Sequence, residues 1–179
     1  MNLFLRLLKV FIVAMFSKER VRLLDETRLK FRVWLTDQDM FAHMTNSRYL
    51  SFGDLGTINY ILRSGSWTEL RKRGWFPVIC GQTMYISRML SFPQKFEVHS
   101  RVTGWNDTYV GLLHEFHAKG RKTAEVKVIA RFASRDKTRV TPQQMVDLVD
   151  PESPNPGLDR DFQALADRIE EERRNLKST

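Results

Sequence analysis

The chain has almost none of the residue that staples small folds, since Cys80 is the single cysteine in 179 residues. One thiol excludes an internal disulfide and a four-thiolate zinc site. Its neighbours Val78, Ile79 and Met84 give an apolar setting without an adjacent base, so a buried structural thiol is expected rather than a nucleophile. There is no internal repeat and no zinc-finger, recognition-helix or aromatic-basic motif, which argues against a nucleic-acid partner. No pair among His99, His114 and His117 has metal-ligand spacing with a carboxylate, so no metal is expected. Absent too is an uninterrupted apolar run of about 20 residues, the length a membrane-spanning helix needs.

What the chain does contain is enough apolar material for a core, 42% hydrophobic with 11% aromatic, at a length suited to one domain with appendages. The net charge of +8 favours anions as partners, whether nucleic acid, acidic lipid or a phosphorylated cofactor. Charge by itself does not choose among them.

Leu3 to Phe16 is strongly apolar but interrupted by Arg6 and Lys9, and it runs on into Lys18, Arg20 and Arg22. It is too short and too charged to span a bilayer, and no small-x-small cleavage site follows it. Two readings stay open: an interfacial helix making peripheral contact with an anionic membrane, or a helix packed on its own domain or a second subunit.

Periodicity organises the rest. Leu29 to Leu35 alternates as a half-buried strand, and Ser47 to Leu62 changes to helical spacing with Phe52, Leu55, Ile58 and Leu62 on one side. Gly53 and Gly56 weaken an isolated helix by about 1 kcal/mol each, which implies that something packs close to its backbone. A short helix over Trp67 to Arg73 is stopped by Gly74 and Pro77. Four strands follow, at Val78–Met89, Lys95–Trp105, Thr108–Ala118 and Thr123–Ser134, the last two joined by a turn at Lys119-Gly120-Arg121-Lys122. His114 is expected to point inward and His99 outward. Strand, long helix and four successive strands predict an α+β fold, an antiparallel sheet wrapped around a long central helix. The expected division is an apolar, basic helix over 1–24, the main domain over 25–149, and a linker with a charged helix over 150–179. The thin stripe of Phe162, Leu165, Ile169 and Leu176 suggests that this last helix lies on the surface or docks a partner.

Between first strand and central helix lies Asp37-Gln38-Asp39-Met40-Phe41-Ala42-His43-Met44-Thr45-Asn46-Ser47-Arg48-Tyr49. A loop carboxylate there would sit beside the free N–H groups and positive dipole end of a helix, so one carbonyl could be reached by both. Asp and Asn before a helix also serve as ordinary caps, worth about 1 kcal/mol.

This segment resembles the signature of the 4-hydroxybenzoyl-CoA thioesterase-like hotdog superfamily, Asp-x-Asp-x-x-Gly-His-(Val or Met)-Asn-Asn-x-x-Tyr with an acid five places on. Asp37, Asp39, His43, Met44, Asn46, Tyr49 and Asp54 fall on it without a gap, while Ala42 and Thr45 depart from it. Arg73 to Val78 is similar to a branch with an apolar N-terminal helix. The resemblance implies an acyl-CoA thioesterase in which Asp39 attacks or activates water and the Asn46 N–H holds the oxyanion. His43 is expected to organise the loop by hydrogen bonding through its imidazole and Asp37, nearer the strand, to hold it, while Tyr49 and Asp54 on the central helix are open to packing or subunit contact and no catalytic proton is assigned to Asp54. Tyr49 is placed among substrate contacts, and Arg88, Arg121 and Lys122 are assigned to coenzyme A phosphates. Coenzyme A would enter as part of the substrate, with no resident cofactor, in a homodimer or homotetramer of cytoplasmic location with peripheral membrane contact through residues 3–16. The alternative is a non-catalytic hotdog that binds acyl chains or a protein at a membrane; a dehydratase is disfavoured because its His-first dyad is missing.

Overall fold

The computed structural model describes residues 3–17 and 20–178, so Lys18 lies outside the described residues. Eleven segments follow in order: α1 (Leu3–Phe16), β1 (Thr27–Arg32), a 3-10 turn (Leu35–Asp37), α2 (Asn46–Arg63), α3 (Ser66–Arg73), β2 (Trp75–Ile86), β3 (Lys95–Trp105), β4 (Val110–Ala118), β5 (Arg121–Ser134), α4 (Pro142–Val149) and α5 (Arg160–Ser178). The strands form one antiparallel sheet in the order β1-β3-β4-β5-β2. It curls over α2, as the α+β hotdog reading predicts.

Strand β1 buries Thr27, Leu29 and Phe31 and turns Arg28, Lys30 and Arg32 outward. It stops at Arg32, short of the expected Leu35, and the Trp34 N–H donates to the Asp37 carboxylate at 2.9 Å as the chain coils into the 3-10 turn. The β4–β5 connection is tighter than its sequence suggests. Arg121 already pairs with Ala118 and Lys122 with His117, leaving a two-residue turn at Lys119 and Gly120, both at positive φ.

The glycines of α2 account for its seat on the sheet. A Cβ on Gly56 would stand 2.2 Å from the Ser100 hydroxyl, and one on Gly53 would be 3.2 Å from the His114 ring. With hydrogen in their place, α2 settles directly over a polar node. His114 is fully buried, its Nδ1 lying 2.8 Å from Ser100 Oγ and its Nε2 3.1 Å from Thr57 Oγ1. Around this node Phe31, Phe52, Phe96 and Phe116 pack with Tyr49 as a cluster of tilted, edge-on and stacked rings.

Two expectations are corrected. The thin stripe of α5, except for the exposed Leu176, is taken up by the outer face of the chain's own sheet, where Phe162 and Ala166 are buried against Tyr109, Leu113 and Ile129. Leu158, Leu165 and Ile169 pack there beside Cys80, which is half-buried, and desolvation raises its thiol pKa. His99 is largely covered rather than exposed. Its ring nitrogens stand 3.0 Å from Glu26 and 3.1 Å from Glu97, and it stacks on His117 at 4.3 Å between centroids.

Burial pushes the His114 pKa down to about 4 from its ordinary 6.5. The depressed value means that the unfolded chain takes up the proton first, so stability contributed by the neutral ring is present above pH 6.5 and is lost as pH falls through about 4. The difference is on the order of 3 kcal/mol. We expect His114→Gln to flatten the stability-versus-pH slope across this window, measured by urea unfolding of both proteins at each pH.

Candidate active site

The signature segment folds as a closed loop. Gln38 and Met44 form an isolated antiparallel bridge, the Asp39 N–H donates to the His43 carbonyl at 2.9 Å, and the Ala42 N–H donates to the Asp39 carbonyl at 3.1 Å. At its base the Thr45 N–H donates to the Asp37 carbonyl at 2.9 Å, and the Met44 N–H donates to Leu90 at 2.7 Å. The loop is therefore pinned to both the 3-10 turn and the β2–β3 connection.

Asp39 is exposed at this loop, and its Oδ1 accepts from the N–H groups of Phe41 at 2.9 Å and His43 at 3.3 Å. These bonds fix the carboxylate within the loop that leads into α2. The His43 main chain, where the sequence pointed to its imidazole, donates to the Asp39 carboxylate and accepts from the Asp39 N–H. The helix begins at Asn46 with Thr45 as its N-cap; the Thr45 hydroxyl meets Ser47 Oγ at 3.1 Å and caps no backbone N–H. The Arg48 N–H donates to the Thr45 carbonyl at 2.9 Å, while the N–H groups that open a helix have no acceptor within it and suit a developing negative charge.

Asp37 has a different role. Its side chain is wholly buried and receives both guanidinium nitrogens of Arg6, at 2.8 and 2.5 Å, with Arg48 Nε at 3.4 Å. Arg6 itself is fully buried and lies over the Phe52 ring at 4.6 Å. Two ions removed from water need such paired geometry to be tolerated. A residue of α1 thus clamps the base of the loop. Sequence reading missed this contact, although a signal existed: Arg6 shares one helix face with Leu3, Val10 and Ala14, and a cation within an apolar stripe calls for a buried anion.

Tyr49 is fully buried, and its hydroxyl accepts the Leu90 N–H at 3.1 Å. Burial raises its pKa despite that bond. Arg88 and Arg121 do come together, lining a hollow with Lys119 beside the β2–β3 connection. Lys122 is absent from that hollow. Its ammonium pairs with Glu115 at 3.2 Å and Glu125 at 2.9 Å.

An apolar cavity lies elsewhere, a chamber of about 440 Å³ between the second half of α2 and the sheet. Ile58, Ile61, Leu112, Val128 and Phe132 are among its walls, and Asp54 and Thr57 supply polar groups. Desolvation raises the Asp54 pKa. The sequence marks Asp54 only as an acid on the signature; the cavity beside it depends on residues of β2, β3, β4 and β5, the last two more than fifty residues away.

Residues 33–150 match the thioesterase-like superfamily, and the chain belongs to that superfamily. Among individual proteins it is similar to Protein THEM6 of Xenopus laevis, 34% identical over 71 residues, which are 40% of this chain and 34% of the frog protein. It is similar also to Protein THEM6 of Danio rerio, 26% identical over 146 residues, which are 82% of this chain and 71% of the fish protein. The frog alignment thus spans about a third of that relative's length. The fold matches the probable thioesterase YbaW of Escherichia coli at a TM-score of 0.63 and 14% identity, over 68% of this chain and 93% of that one. It also matches a 4-hydroxybenzoyl-CoA thioesterase variant complexed with 4-hydroxybenzoyl-CoA at 0.62 and 15%, over 70% and 99%. These are hotdog proteins, and the hotdog assignment is established.

Ala42 stands where the superfamily signature has glycine, and it adopts φ 60°. A left-handed L-residue is strained by about 1–2 kcal/mol, partly offset by the freer unfolded chain of glycine. We expect Ala42→Gly to stabilise the protein by about 0.5–1 kcal/mol in denaturant unfolding. Arg6→Met should destabilise it by about 3 kcal/mol, because Asp37 is left buried with only Arg48 nearby; Arg6→Met/Asp37→Asn should recover part of that loss in the same assay.

Proposed function

We propose that the protein hydrolyses an acyl-CoA thioester, with Asp39 as nucleophile or as the base that activates water and the Asn46 N–H as oxyanion donor. The observation that carries this reading is the loop itself: a carboxylate fixed by two N–H bonds directly before a helix whose N-cap side chain leaves the terminal N–H groups uncapped. An oxyanion donor in such a place is worth about 3 kcal/mol in the transition state. Water adds to the carbonyl carbon, the C–S bond breaks, and the products are a carboxylic acid and the free thiol of coenzyme A. Superfamily membership supports the reaction class.

The apolar chamber beside α2 suits the acyl group, and the hollow of Arg88, Lys119 and Arg121 suits the phosphates of coenzyme A. Coenzyme A arrives as part of the substrate and no resident cofactor is required. Asp39 is not among the walls of the chamber in its own chain, and Asp54 stands about 12 Å along α2 from the helix start. A homodimer would resolve this separation. Strand β2 is a twelve-residue sheet edge with Phe76, Ile79 and Tyr85 exposed, a form ready to pair with a second copy, and Met40 and Phe41 at the loop tip are 90% and 73% exposed. Pairing there would set the loop of one subunit against the helix of the other.

A second reading follows from Asp54, whose carboxyl borders the chamber with a raised pKa. A third treats the chain as a non-catalytic acyl-binding hotdog. Release of free thiol from aliphatic and aromatic acyl-CoAs separates all three. We expect Asp39→Asn to lower turnover on the order of a thousandfold with folding intact, and Asp54→Asn to leave it within about threefold of wild type. The reverse ranking assigns the chemistry to Asp54. Binding of acyl-CoA by calorimetry without release of thiol by the wild type would establish the binding module instead.

A further inference from the structure

Helix α1 is apolar nearly all round, yet only one side of it is used. Arg6 and Val10 are buried against the domain, with Leu3 and Leu7 packed beside them. Leu5, Leu8, Ile12, Val13, Met15 and Phe16 are left exposed, a density of large apolar groups that water alone does not explain. A helix of 14 residues with such an outer face either meets a partner or lies in an interface. Among the described residues no helix is long and apolar enough to cross a membrane.

Charge decides between these occupants. Residues 1–24 carry five cationic side chains, Arg6, Lys9, Lys18, Arg20 and Arg22, against one acid, Glu19. Of these, Arg6 is spent on Asp37 in the interior and Arg22 stands 3.6 Å from Asp150, whereas Lys9 on α1 and Arg20 just beyond it are exposed. An apolar ridge flanked by cations is complementary to an anionic bilayer, where acyl chains receive the ridge and headgroups the cations. Subunit contacts, by contrast, are depleted of lysine. We infer that the outer face of α1 docks on the surface of an anionic phospholipid bilayer. The bidentate Arg6–Asp37 pair makes this an oriented dock rather than a loose tether, since the inner face of the helix is locked to the base of the Asp39 loop. The domain is then held at a fixed attitude to the lipid. Vesicle binding requires no turnover, so it stands or falls separately from the proposed hydrolysis.

The test is co-sedimentation of the full chain with phosphatidylcholine vesicles, with and without phosphatidylserine. Wild type should pellet with the anionic vesicles and remain in solution with phosphatidylcholine alone. Leu8→Glu/Ile12→Glu alters side chains that are 49% and 47% exposed, so thermal unfolding should be unchanged while vesicle affinity falls more than about tenfold. Lys9→Ala, which leaves the apolar ridge intact, should weaken anionic binding about fivefold, as one cation at such a surface predicts. The inference is overturned if wild type stays in solution with both compositions, if it binds both equally, or if neither variant changes binding. It is equally overturned if the double variant turns a dimer into a monomer in sedimentation velocity while wild type ignores vesicles, because the face is then a subunit contact.

Discussion

The buried pair of Arg6 and Asp37 joins parts of the chain that otherwise have little reason to meet. Neither ion would be tolerated alone in a water-free site, and both are fully covered. Their two parallel bonds therefore fix α1 on the 3-10 turn, with Arg6 lying over the Phe52 ring of α2, and through Asp37 they fix the strand exit and the foot of the signature loop. The second aspartate of the signature is set free for another role because the first is fully engaged. Two acids separated by one residue acquire opposite environments, one desolvated and paired, the other exposed and bonded only to loop N–H groups.

A second constraint lies one layer deeper. The closeness of α2 to the sheet is set by Gly53 and Gly56, and the space they leave is filled by His114 with Ser100 and Thr57. Both ring nitrogens have oxygen partners, so the imidazole can remain neutral in the core at small cost. This node determines the height of α2 over the curled sheet. The apolar chamber opens on the flank of the same helix, where Thr57 both borders the cavity and meets the histidine.

Much of this was legible in advance. The helix over residues 46–63 follows from its spacing, the stop at Gly74 from a left-handed cap, and β3 from a clean alternation of Phe96, Val98, Ser100 and Val102. The glycines of α2 correctly announced a close neighbour without naming it. The outward lysines were harder to read: Lys122 was expected to face a phosphate, yet β-pairing sets Glu115 and Glu125 within its reach, and a cation so paired is taken. Tyr49 was expected at a ligand because it belongs to the signature, but its position on the helix turns it into the core. The stripe on α5 was visible, but which surface it covers was not, because Tyr109, Leu113 and Ile129 come together only once two strands have paired.

The sequence by itself determined the period of each element, the turns that glycine permits, and the presence of a carboxylate loop before a helix, because these depend on residues within a few positions of one another. The tertiary structure decided which charges are buried and which are spent. It brought Arg6 to Asp37 across 31 residues, set Asp54 against an apolar chamber walled by distant strands, and left one face of α1 uncovered. Desolvation is the reason for this division. It depends on everything that surrounds a group in space, and local order along the chain does not contain it.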